Sequence, residues 1–147
     1  MFDTKEHLAK NACQIIPEGT TGIAQPLDVY FFRIFKEYRR KISDWVLVNN
    51  SDLKLAQRNN TIQLMALIHH QFCSPRFVDI CKYVWYKAGY IPQRPPKFQT
   101  PLQYSFGHKG SCSRCDESVF IRCAWCRLLH CFFHFWQDVP LCQTFSR

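Results

Sequence analysis

Seven residues able to hold a metal ion crowd the end of this chain. Cys112-x2-Cys115 is followed after seven residues by Cys123-x2-Cys126, after four more by Cys131-x2-His134, and after a further seven by Cys142. A Cys-x2-Cys turn places two thiolates on one ion, and zinc takes four soft or borderline ligands in a tetrahedron. Small core thiols among Phe120, Trp125, Leu128, Leu129, Phe132, Phe133, Phe135 and Trp136 would not explain three pairs at one spacing. We therefore expect Zn2+, with Cys112, Cys115, Cys123, Cys126, Cys131, His134 and Cys142 as the ligand set. Spacing leaves the pairing open. Cys112, Cys115, Cys123 and Cys126 would close an all-thiolate site, leaving Cys131, His134 and Cys142 to find a fourth ligand in His130 or His108. Interleaving, with Cys112 and Cys115 sharing an ion with Cys131 and His134, is equally allowed. A residue three beyond Cys142 would continue the repeat, but Phe145 stands there and cannot bind a metal. A closed four-ligand site has no open position for a reactive water, so its role is structural.

The rest of the chain must position and shelter this tail. It has 147 residues, 47% hydrophobic and 16% aromatic, which argues for a folded protein rather than a disordered one. Residues Met1 to Lys10 are charged and lack an apolar core of signal-peptide length. Nine cysteines, an odd number without an export signal, favour reduced thiols or metal over disulfides. We expect a nuclear or cytoplasmic protein, not a secreted one, and no membrane contact. The net charge of +8 suggests a polyanionic partner, nucleic acid first.

Three divisions follow from composition: a helical part over 1–90, a Pro-rich linker over 91–106 and the Cys/His zinc-binding tail over 107–147. Cys13 to Ile16 reads as an edge strand. A long helix is expected from about Pro26 to Leu47, with Leu27, Phe31, Ile34, Tyr38, Ile42 and Trp45 on its apolar face. Its polar side carries Arg33, Lys36, Arg39, Arg40 and Lys41, opposed in part by Glu37 and Asp44. These five cations are the candidate DNA-binding residues. A short helix is expected over Asp52 to Gln57. A central buried one follows from Ile62 to about Phe72, capped by Asn59-Asn60-Thr61 and ending at His69 and His70. The next is N-capped by Ser74, with Pro75 at its first position and Gly89 ending it. Cys73 and Cys81 read as core thiols. Pro92, Pro95, Pro96 and Pro101 argue against helix in the linker.

One string says more. Ile16-Pro17-x-x-Thr20-Thr21-x-x-x-Gln25-Pro26-Leu27-Asp28 resembles the last catalytic block of the DDE superfamily endonucleases, transposases of the Tc1/mariner and pogo/Tigger type. The resemblance implies that Asp28 is the third metal-binding carboxylate of such an enzyme. The family's two earlier acids lie on an RNase H-like sheet, the second in an Asp-Asn context. The acids upstream of Asp28 here are Asp3, Glu6 and Glu18, none in that context. The resemblance thus implies a C-terminal part of such an enzyme, beginning just before its third acid.

The fold class expected is mainly α, a C-terminal helical remnant of an RNase H-like DDE domain plus a small zinc-stabilised tail. The function expected is that of a transposase-derived nucleic-acid-binding protein that does not catalyse. Mg2+ would be used only if another chain completed the DDE site. Partners implied are DNA and a transposase-like protein or a second copy of the chain. The rival readings are a zinc-binding protein–protein interaction module, and part of an active DDE transposase whose upstream region is missing.

Overall fold

The computed structural model describes residues 18–20, 25–49, 52–139 and 142. The expected strand at Cys13 to Ile16, the Ile16, Pro17 and Thr21 positions of the DDE-like string, and Phe145 lie outside them. The architecture is mainly helical, as expected. A π-helical turn, Leu27–Phe31, leads into α1 (Phe32–Asn49); α2 (Arg58–Phe72), a 3-10 turn (Pro75–Phe77), α3 (Val78–Lys87) and α4 (Pro101–Ser105) follow. In the tail, β1 (Ile121–Arg122) pairs antiparallel with β2 (Leu129–His130), and α5 (Phe132–Gln137) closes the fold. No helix among the described residues is long and apolar enough to cross a membrane.

α1 buries Ile34, Tyr38, Ile42 and Val46, one residue per turn, and half-buries Phe35 and Trp45 beside them, with Phe31 of the π-helical turn packed on the same core. Leu27 departs from the expected face and is exposed. The Phe32 N–H reaches back to the Leu27 carbonyl. This wider turn holds an extra residue and rotates what precedes it off the α1 stripe.

The expected helix at Asp52 to Gln57 is not formed; residues 52–57 make turns. Two side chains from the next helix occupy carbonyls there: Asn60 Nδ2 donates to Lys54 O at 3.0 Å and Thr61 Oγ1 to Leu55 O at 2.7 Å. Asn60 and Thr61 therefore sit inside α2, which starts at Arg58, four residues earlier than expected. α2 is also less enclosed than expected. Leu64, Leu67, Ile68, Gln71 and Phe72 are buried, whereas Ile62 and Met65 face outward.

Ser74 caps the following turn, its Oγ accepting from the Arg76 N–H, and Pro75 opens it. At the other end Gly89 adopts φ +81°, with the Gly89 N–H on Tyr86 O and the Tyr90 N–H on Trp85 O. That paired return is the Schellman motif, and its left-handed residue is the reason for glycine. Phe77, Ile80 and Val84 point inward. Cys73 and Cys81 are exposed rather than core thiols, because the buried stripe is narrower than the apolar one.

The Pro-rich stretch forms neither helix nor strand over 91–100, and then Pro101, expected to prevent helix, starts α4. Thr100 and Gln103 form a capping box in front of it, and proline at the first helical position costs no hydrogen bond. The tail is not a separate bead. One apolar core runs from Ile34, Tyr38, Ile42 and Leu67 to Phe120, Ile121, Phe132 and Phe135. Trp45 stacks on Phe132 at 4.5 Å between ring centroids and meets Phe120 at 4.8 Å.

Candidate metal centre

The β1–β2 ribbon determines the pairing of the ligands. Its register places Ile121 opposite His130 and Arg122 opposite Leu129, and the Ser113 N–H donates to Leu129 O at 2.8 Å. Cys131 and α5 thereby return beside the Cys112–Cys115 turn. The first cluster is Cys112, Cys115, Cys131 and His134; the second is Cys123, Cys126 and Cys142. The ligands interleave along the chain. Of the two pairings the spacing allows, the structure has the crossed one, and Cys112 and Cys115 do not share a cluster with Cys123 and Cys126.

The first cluster already has tetrahedral dimensions. Bonds of ~2.3 Å to sulfur and ~2.0 Å to nitrogen place ligand atoms about 3.8 Å (S to S) and about 3.5 Å (S to N) apart around one zinc. Cys115 Sγ lies 3.7 Å from Cys131 Sγ. His134 Nδ1 lies 3.4 Å from Cys112 Sγ, 3.5 Å from Cys115 Sγ and 3.3 Å from Cys131 Sγ. The donor set fits zinc. On the far side of the ring, His134 Nε2 stands 4.0 Å from Asp138 Oδ2, and Arg114 holds that carboxylate at 3.0 Å. A carboxylate behind a ligating histidine orients the ring and raises its basicity.

The thiols are poised unequally. Burial works to raise Cys112, but the N–H groups of Cys131, Arg114 and Cys115 outweigh it and bring its pKa down to about 6. The Glu117 N–H draws Cys115 down, while partial desolvation and the sulfurs of Cys131 and Cys112 push it up to about 11.

The second cluster leans on the helical part. Burial raises the Cys123 thiol, opposed by donors that include the Cys126 and Trp125 N–H groups and the Gln71 side chain. Gln71, fully buried on α2, donates Nε2–H to Cys123 Sγ at 3.6 Å and accepts the Ala124 N–H on Oε1 at 2.7 Å. Ser74 Oγ and Arg76 Nε both donate to Ala124 O, at 2.9 and 3.1 Å. Trp125 Nε1 donates to His70 O at 2.8 Å, and its ring stacks on His70. None of these contacts was expected from the sequence. Gln71 did carry a signal: it continues the Leu64, Leu67, Ile68 stripe, and a polar residue on a buried stripe needs partners.

The other candidates are scattered. His108 belongs to neither cluster; its Nε2 donates to Tyr104 O at 2.7 Å. Asp28 is exposed in the π-helical turn and belongs to neither cluster. Arg33, Lys36, Arg39, Arg40 and Lys41 are all exposed along α1, with Arg33 3.9 Å from Glu37.

Comparison with curated proteins and with solved structures finds no match. Residues 85–142 match the family model of the Tc5 transposase C-terminal domain, a span that contains every ligand of both clusters. That segment is similar to the C-terminal domain of a transposase, and the match supports a transposase-derived protein.

Proposed function

We propose that this is a transposase-derived nucleic-acid-binding protein whose tail is organised by zinc. The observation that carries the reading is the Tc5 C-terminal match over the same residues that form a tetrahedral Cys3His cluster. Cys112, Cys115, Cys131 and His134 would hold the ion. Zinc there supplies folding energy and, with all four positions taken by protein, no reactive water. The Cys112 and Cys115 turn, β2 and α5 are thereby tied at one point, which sets the tail against α1.

DNA is the proposed ligand of α1. Its cations stand on the side away from Ile34, Tyr38 and Ile42, and the chain carries a net charge of +8. Contacts of this kind go to phosphates and carry no sequence information by themselves. The DDE resemblance around Asp28 belongs to the same proposal, as does a nuclear site of action. We assign Asp28 no catalytic step in this chain. Two-metal cleavage needs carboxylates on both ions, and among the described residues none joins Asp28 in a metal-binding group. Mg2+ would serve only in a site completed by another chain.

Binding to duplex DNA at a series of salt concentrations tests the proposal. The logarithm of affinity should fall linearly with the logarithm of salt, by ~0.9 per phosphate neutralised. Replacing Arg33, Lys36, Arg39, Arg40 and Lys41 with Gln should flatten the slope. Affinity indifferent to salt or to the replacements would remove α1 as the contact surface.

A second reading, a zinc-stabilised protein-binding module, draws on one observation. Leu47 and Val48 are exposed at the end of α1, Leu47 beside a groove that Leu53 and Leu55 also line. Loss of a transposase-like partner or of self-association on replacing Leu47 with Asp, with DNA binding intact, would favour it.

A further inference from the structure

Among the described residues the second cluster has three thiols and, by the logic of a closed zinc site, is one ligand short. β2 ends at His130, and Cys131 follows directly. Successive side chains of an extended segment point to opposite sides. Cys131 faces Cys112, Cys115 and His134. His130 faces the other way, only 3% exposed, with Nε2 3.9 Å from Cys126 Sγ. Its other nitrogen, Nδ1, is buried without a hydrogen-bond partner. A buried imidazole with one nitrogen against a sulfur and the other unsatisfied is not explained by packing alone.

We propose that His130 is the fourth ligand of a second metal ion held by Cys123, Cys126 and Cys142, so that the chain carries two ions in a crossed arrangement. The proposal rests on zinc occupying the first cluster. The distance of 3.9 Å is a few tenths of an ångström longer than the ~3.5 Å between nitrogen and sulfur on one zinc. Closing the set takes a rotation of the His130 side chain toward Cys123 and Cys142. The backbone that carries it is pinned, with the Phe120 N–H on His130 O at 2.8 Å and the Cys123 N–H on Leu128 O at 3.0 Å. Two other histidines are spoken for: His134 sits in the first cluster, and His108 is bonded to Tyr104. His70 lies flat on Trp125, 13° between rings, and so packs on the turn of the second cluster; the control is His69, exposed on α2 and in neither cluster.

The test is cobalt(II) titration of the full chain, read by its visible absorption and by native mass spectrometry. Two equivalents are expected. In His130→Ala the second equivalent should bind at least tenfold more weakly, and its bands should lose the intensity of a tetrahedral Cys3His ion. His130→Cys should restore tight binding with stronger sulfur-to-metal charge transfer. His69→Ala should leave the spectrum unchanged. Only one equivalent in the wild type, an unchanged spectrum in His130→Ala, or the loss appearing in His69→Ala would overturn the proposal. If His130→Ala does not fold, the His130→Cys spectrum decides: no shift toward four thiolates overturns it. His134→Ala reports on the first cluster alone. A chain that takes no cobalt at all fails that reading, and a chain that takes one ion, lost in His134→Ala, fails only the assignment of His130.

Discussion

Gln71 on α2 accepts the backbone N–H of Ala124 at 2.7 Å, across 53 residues of chain. The same amide donates to Cys123 Sγ. One fully buried side chain therefore reads both the backbone and a thiol of the turn that carries the second cluster. The helical part and the tail are joined there by polar contacts as well as by the aromatic core.

Removing that amide should be costly. In Gln71→Met the volume is kept, but the Ala124 N–H is left buried without its acceptor. An unsatisfied buried donor costs ~1–3 kcal/mol. We expect the unfolding free energy from urea melts to fall by that amount and metal affinity of the second cluster to fall with it. Equal stability of the two proteins would show that Gln71 is not a fastener.

Stripping metal should loosen the tail first. Structural zinc contributes folding free energy directly, so a strong chelator should unfold residues around both clusters. Trp45 reports the event, because it stacks on Phe132 and Phe120. Its fluorescence should shift to longer wavelength as the rings separate, and return on adding zinc. An emission spectrum indifferent to the chelator would mean that packing alone holds the tail.

Tyr38 provides an alkaline signature. It is fully buried and donates its hydroxyl to Ser105 Oγ at 3.1 Å. Burial is the main cause that holds its pKa well above the ordinary tyrosine value, with the Ser105 bond pulling the other way. An unfolded tyrosine ionises near pH ~10, whereas the folded one stays neutral there. The raised value means that Tyr38 stabilises the fold fully below pH ~10 and that this contribution is lost as pH rises beyond it. Tyr38→Phe should cost about 1 kcal/mol at neutral pH and flatten the alkaline decline. Denaturant melts from pH 7 to 11 would check both.

Asp28→Asn should do little. The residue is exposed, at the start of the π-helical turn, where a carboxylate gains less than ~1 kcal/mol from the helix dipole. DNA affinity should stay within twofold of wild type. Plasmid DNA incubated with Mg2+ or Mn2+ should remain uncut by either protein. Cleavage by the wild type that disappears in the variant would show a working site, completed by a second chain.

Much of this was legible in the residue order, for reasons that differ by element. The Cys-x2-Cys and Cys-x2-His pairs announce themselves because a ligand turn is local. Their partners are not local: Cys131 reaches Cys112 only because a ribbon of two-residue strands folds back at Ile121–His130. The apolar repeat of α1 was readable through Ile34, Tyr38 and Ile42, which recur at helical spacing; its last buried position falls on Val46 rather than on the expected Trp45, which is half-buried. The stretch before α2 was not, since Asn60 and Thr61 were as suited to capping as to bonding back to Lys54 and Leu55. Cys73 and Cys81 looked buried because apolar neighbours surround them in sequence, yet the helices meet along a narrower strip.

The shared core has a consequence for inheritance. A cysteine-rich segment that buries only its own residues can be cut out of one gene and appended to another. This one uses Trp45 of α1 as part of its own wall, and Gln71 of α2 as part of its own hydrogen bonding. Transferred without those helices, it would expose the faces of Phe120 and Phe132 and leave the Ala124 N–H without its acceptor. Helices and tail should therefore have travelled together. Where the tail recurs in other chains, an aromatic residue on a preceding helix should recur with it.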